Sequence, residues 1–163
     1  MKFHGLIHTF PKHIQLFITA FVIVLSIGYG TGLLFVTTTN SNNLNGIEEN
    51  YMGNEEDEEA TVMKFKKSNR EMLTILHTHI LSMSFIFFFL GGLVALTSLP
   101  KKIKYFLMVE PFLSIILTFG GIYLMWNGIL WMKYIVMISG IVMTGVFVVS
   151  ALVILFQLFK RTE

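Results

Sequence analysis

Four long apolar runs, roughly Ile14–Val36, Leu73–Leu99, Ile103–Trp126 and Ile129–Phe159, set what this chain can become. Each is near or above the ~20 residues that a helix needs to cross the hydrocarbon core of a bilayer. In lipid, only helices and closed barrels satisfy their own backbone, and runs this long without two-residue alternation are helical. The expected fold is therefore all-α: a transmembrane four-helix up-down bundle. Composition agrees, since only 13% of residues are charged and 54% are hydrophobic, where a soluble domain carries about 25% charge. The absence of Cys excludes disulfides and thiolate metal sites. The first run is longer than the apolar core of a secretory signal, about 7–15 residues, and no clear small-residue cleavage pattern follows it. It reads as a retained anchor. The last run exceeds a minimal span and is expected to tilt or to emerge into the interface.

The expected division of the chain is an interfacial N-terminus at 1–13, transmembrane helices at 14–36, 73–99, 103–126 and 129–159, and an acidic polar loop at 37–72. Basic residues set the orientation. Lys2 and Lys12 precede the first span, Lys101, Lys102 and Lys104 join the second to the third, and Lys160 and Arg161 follow the fourth. An even number of spans puts these clusters on one side, and the positive-inside rule makes that side cytoplasmic, with both termini. Lys64, Lys66, Lys67 and Arg70 lie on the opposite side and oppose this assignment. They accompany the acidic run Glu55-Glu56-Asp57-Glu58-Glu59, although acids count little in the rule. That run lacks the ligand spacing of an EF-hand and reads as a solvated loop.

The turns at Ser98-Leu99-Pro100-Lys101-Lys102 and Trp126-Asn127-Gly128 are tight, so the last three spans should be antiparallel neighbours. The 37–72 segment is polar and cannot bury enough apolar surface to fold alone. Near its end, Ser68-Asn69-Arg70-Glu71 fits a capping box, which would start the second long helix about a turn outside the membrane. Trp126, Trp131, Tyr123 and Tyr134 fall where an outer aromatic belt belongs.

Within the spans, small and polar residues form stripes. They are His77, Ser84, Gly91 and Ser98 on the second; Glu110, Ser114, Gly121, Met125 and Gly128 on the third; and Ser139, Met143, Ser150 and Gln157 on the fourth. Helices in lipid associate through such residues, so the stripes should face the bundle interior while Phe and Ile faces meet lipid. For Ser and Gly, packing alone is a sufficient reading. Gly28-x-x-x-Gly32 is a small-xxx-small contact motif in the first span. Ser26-Ile27-Gly28-Tyr29-Gly30 matches a potassium-channel filter over five residues, but the flanking pore-helix architecture is missing, and the match reads as coincidence.

Few residues offer chemistry. Glu110 is the sole acid inside an expected span. A carboxyl there is costly and should be neutral or paired. It is a candidate proton or ion site, or a structural hydrogen-bonder to Ser150 or the backbone, or a group snorkelling toward Lys104. Pro111, next to it, removes a helix hydrogen bond and frees a carbonyl one turn back. His77 and His79 lie near the outer end of the second span, two residues and so about 200° apart on a helix. One of them could ligate a haem b, with Met125 or Met132 as second ligand. Met72, His79 and Met83 offer soft donors to Cu(I). His4 and His8, four apart, could share a metal, although an interfacial role is the simpler reading. Whether any metal is held is left open by these residues. No nucleophile–base pair or phosphate loop is visible, which argues against catalysis.

The blocks His77-Thr78-His79-Ile80-Leu81, Leu99-Pro100-Lys101, Glu110-Pro111-Phe112, Thr118-Phe119-Gly120-Gly121-Ile122-Tyr123 and Trp131-Met132-Lys133-Tyr134 resemble a small family of uncharacterised bacterial four-helix membrane proteins. The resemblance covers the last three spans. It implies a bacterial inner membrane and supplies no activity. The expected role is a non-catalytic membrane subunit or small membrane module with a polar bundle interior. Two alternatives are a haem-binding electron-transfer protein and a proton-coupled transporter component using Glu110. The expected partners are the lipid bilayer and either other membrane subunits or further copies of the chain. No nucleic-acid partner is expected.

Overall fold

The computed structural model describes residues 7–55 and 62–159. Among them every regular element is helical: a 3-10 turn at Ile7–Thr9, then α1 (Lys12–Thr38), α2 (Leu44–Met52), α3 (Asn69–Ala95), α4 (Lys101–Trp126) and α5 (Met132–Leu158). Helices α1, α3, α4 and α5 are each long and apolar enough to cross a membrane. They alternate in direction. One end of the molecule carries the starts of α1 and α4 and the ends of α3 and α5; the other carries α2, which we call the capped end.

The helix ends follow from local chemistry. Proline precedes α1 (Pro11) and α4 (Pro100), where its missing N–H and fixed φ are compatible with a helix start. The capping box at the start of α3 is present: Ser68 accepts from the Glu71 amide, and the Glu71 carboxylate accepts from the Ser68 amide at 2.8 Å. Pro111 lies inside α4, which continues through it. The α4–α5 turn reverses at Gly128, whose φ of 101° suits glycine.

Packing is uneven. Helices α3, α4 and α5 form the core, most tightly along α4–α5, whereas α1 leans mainly on α5. In the most apolar stretch of α4, 44% of residues are buried inside the chain; in α1 only 11% are. Tyr29 makes the principal link of α1. Its ring stacks on Phe147 of α5 at 3.9 Å between centroids and 9° between planes, and its hydroxyl meets Thr144 Oγ1 at 3.2 Å. The expected division into interior stripes and lipid-facing Phe faces holds only in part. Phe87, Phe119 and Phe147 are buried in the core, while Phe85, Phe88 and Phe106 are exposed. Close packing needs bulk as well as small residues at helix crossings.

The segment between α1 and α3 is more ordered than its polarity suggests, because it folds onto the bundle instead of by itself. Asn43 caps α2 by accepting from the Gly46 amide at 2.8 Å. Gly46 is required there, since a β-carbon would fall 1.7 Å from the Asn40 carbonyl oxygen. Glu48 pairs with Lys133 of α5 at 2.6 Å, and Glu49 with Lys64 at 3.3 Å. Asn54 accepts from the Lys64 amide and donates to the Val62 carbonyl. Trp126 donates its indole N–H to the Lys67 carbonyl at 2.8 Å while Lys66 lies over its ring. The result is a cap seated on α4 and α5. Burial within it pushes the Tyr51 hydroxyl above its ordinary pKa.

Candidate functional site

The seam between α4 and α5 concentrates the polar groups of the spans. Gly121 makes the close approach possible: a β-carbon there would lie 2.9 Å from Val136 Cγ2 and 3.8 Å from the Met132 carbonyl oxygen. Three residues earlier on α4, the Thr118 hydroxyl meets the Ser139 hydroxyl at 2.7 Å, both buried. Ser139 also lies 2.7 Å from the Ile135 carbonyl, so this pair is satisfied without water. At the uncapped end, Ser98 donates its amide and hydroxyl to the Gln157 side chain at 2.7 and 2.9 Å, closing α3 onto α5.

Between these two closures sits Glu110. Ser114, one turn further along α4, donates its hydroxyl to one carboxyl oxygen. The other oxygen is buried and has no hydrogen-bond partner, and neither has the buried hydroxyl of Ser150 on α5. The antiparallel pairing that sets Thr118 against Ser139 places Ser150 opposite Leu107, about one turn from the level of Glu110. The seam thus contains one satisfied hydroxyl pair and one half-satisfied carboxyl–hydroxyl set. Pro111 lacks the N–H that would occupy the Leu107 carbonyl, so the backbone adds an acceptor at the same level. Unsatisfied buried polar atoms are uncommon in folded proteins.

Sequence reasoning left Glu110 open between a proton or ion site and a structural residue bonded to Ser150 or the backbone or snorkelling toward Lys104. Neither Ser150 nor Lys104 bonds it. The carboxyl takes its hydrogen bond from Ser114 on its own helix, because one turn of separation brings those side chains together. Lys104 instead donates to the Ala95 carbonyl at 2.8 Å, at the C-terminal end of α3.

The histidines lie elsewhere. His77 and His79 are exposed on the outer surface of α3, so His77 does not join the interior stripe. The His79 ring nitrogen Nδ1 is 2.8 Å from the Ile75 carbonyl, and its ring lies 5.3 Å from Phe119. Met125 is fully buried in α4, and Met132 is half-buried at the start of α5. A haem on His77 or His79 would sit on the outer side of α3, facing lipid or another chain. Of the soft-donor set, Met72 is fully buried, Met83 half-buried and His79 exposed. No group of three or more His, Asp or Glu able to hold a metal occurs among the described residues. His8 lies in the 3-10 turn, half-buried, and its carbonyl accepts from Gln15; His4, its expected companion, lies outside the described residues.

The capped end was the region that sequence reasoning missed as structure. The available signal was Asn43 ahead of Leu44 and Ile47, a short amphipathic turn with a good N-cap.

Neither the curated proteins nor the solved structures compared with this chain give a match. A family model described as a transmembrane helical domain matches residues 41–163. Its start falls just past α1, at the beginning of the cap, so the matched unit is the cap together with the closely packed α3, α4 and α5. The chain therefore belongs to the Aq_1264_TM family of transmembrane helical domains and is a multi-pass integral membrane protein.

Proposed function

We propose that the protein is a non-catalytic membrane subunit of the bacterial inner membrane, in which α1 is the helix offered to another chain. The observation that carries this reading is the contrast between α1 and the rest. A span that buries so little of itself against its own bundle has most of its surface free for lipid or for a neighbouring helix. Beyond the adjoining backbone of α1 itself, Gly28, Gly30 and Gly32 have no described atom within 4 Å of where a β-carbon would lie. Small residues of this kind let helix backbones approach closely in lipid, and here the chain itself makes no use of them. The matched family unit also begins beyond α1, which fits a packed core with an attached contact helix. The test is extraction in a mild detergent and native-gel sizing. A complex larger than one chain should be recovered, and Gly28→Leu with Gly32→Leu should reduce it to the single chain. Recovery of single chains from the native protein would contradict the proposal.

The orientation that accompanies this reading puts both termini and the α3–α4 turn in the cytoplasm, with the cap outside. Glu55 and Lys102 are exposed on opposite ends, and the chain has no native Cys. Single cysteines at these positions should therefore label from outside and inside respectively.

A second reading is favoured by Glu110. A carboxyl inside a span, with one oxygen held by Ser114 and the other unpartnered near an unpartnered Ser150, has the makings of a proton or ion relay. Proton flux in liposomes should then be lost in Glu110→Gln, which keeps the acceptor for Ser114 but cannot titrate. Flux that survives the substitution would rule Glu110 out.

A further inference from the structure

An apolar groove of about 640 Å³ opens between α1, α3 and α4 in the half of the molecule nearer the termini. Phe17 and Phe21 form one wall, Phe88 and Gly92 the second, and Met108 and Phe112 the third. Its size falls in the range of small-molecule sites, about 300–1,000 Å³. It exists because α1 docks on α5 through Tyr29 and not on α3, where the nearest ring contact is Phe21 to Phe89 at 6.2 Å. A gap that opens to the bilayer is filled by hydrocarbon, but an apolar wall alone has no preference among lipids.

Selectivity would come from what stands above the groove. Phe17 lies five residues from Lys12, and Met108 lies seven and six from Lys101 and Lys102. At 1.5 Å and about 100° per residue, the lysines are about 7–11 Å further along the helix axes, at headgroup height; Lys101 is on the groove face of α4, within about 20° of Met108 and Phe112, while Lys12 and Lys102 point away from the groove and act through their field at that height. All three lysines are exposed, and none of them forms an ion pair among the described residues. The described acids lie mostly at the opposite, capped end. The first turns of α1 and α4 also start here, each behind a proline with no side-chain cap, which adds partial positive charge at the same level. Basic clusters at a membrane surface attract anionic headgroups.

We propose that this groove binds an anionic phospholipid, with an acyl chain along Phe17, Phe21, Phe88 and Phe112 and the phosphate beside Lys101, in the field of Lys12 and Lys102. The site is separate from Glu110 and does not depend on α1 meeting another chain.

The test titrates the detergent-purified full chain with phosphatidylglycerol and phosphatidylethanolamine of matched acyl chains and counts bound lipid by native mass spectrometry. Phosphatidylglycerol should bind at least five-fold more than phosphatidylethanolamine. Replacing Lys12, Lys101 and Lys102 together by Gln should remove that preference while leaving helix content unchanged. Gly92→Phe, at a position where an added β-carbon meets no atom within 4 Å, should fill the groove and lower the retention of both lipids. Equal binding of the two lipids by the native chain would overturn the proposal. So would a preference that survives the triple substitution, or retention unchanged by Gly92→Phe. Should Gly92→Phe fail to fold, Gly92→Leu carries the same expectation.

Discussion

Gly121 of α4 and Val136 of α5 stand so close that a single added carbon on the glycine would lie 2.9 Å from the valine methyl. Overpacking of a well-packed contact costs about 1–3 kcal/mol. Gly121→Ala should destabilise the protein by that amount in detergent unfolding. Val136→Ala in the same chain should recover part of the loss, because it removes the methyl that clashes. Additive losses in the double variant would show that the two residues do not meet.

Tyr29 joins α1 to α5 by a stacked ring and a hydroxyl contact. Tyr29→Phe keeps the ring and loses one hydrogen bond, which in membrane proteins averages about 0.6 kcal/mol. Tyr29→Ala loses both. Spin labels at the exposed positions Thr31 and Val148 should report one narrow distance in the native chain and in Tyr29→Phe. The distribution should broaden in Tyr29→Ala.

The cap depends on Lys133 and Glu48, paired at 2.6 Å with both side chains less than one-third exposed. Solvent partly screens such a pair, so its contribution is modest. Lys133→Ala should speed amide exchange in α2 measurably. The exchange of α4 should be unaffected.

Glu110 separates two kinds of loss. Glu110→Gln keeps an acceptor for Ser114 and should leave thermal stability nearly unchanged. Glu110→Leu removes it and leaves a hydroxyl in the seam to find another partner, at a cost of roughly 1–3 kcal/mol.

Much of the fold was legible because lipid permits few solutions. Once four runs of sufficient length were present, their helical state followed from backbone hydrogen bonding alone. The Ser68–Glu71 capping box was equally legible, since its chemistry is local. The partners of Glu110 were harder to read. Sequence reasoning named Ser150 and passed over Ser114, one turn along the same helix; the placement of α5 against α4, which no local pattern shows, leaves Ser150 without a bond to it. His77 shows the same limit: its seven-residue spacing to Ser84 and Gly91 is that of a straight seam, but α3 buries Gly91, half-buries Ser84 and exposes His77. A helix drifts about 20° per heptad relative to such a seam, and over two heptads that drift, together with the crossing of neighbouring helices, is enough to expose one end. The seating of the cap on the bundle was illegible for a different reason. Its contacts, Lys133 with Glu48 and Trp126 with Lys67, join residues far apart in the chain, and no local pattern announces them.

The most direct measurement is photo-cross-linking in native membranes from a benzoylphenylalanine placed at Thr31, beside the open glycines of α1. The same probe at Val109, on the exposed face of α4, serves as the lipid-facing comparison. The probe at Thr31 should give a discrete protein adduct, whether with another subunit or with a second copy, and Val109 should give lipid adducts alone. Lipid adducts alone at both positions would contradict the assignment of α1 as a contact helix.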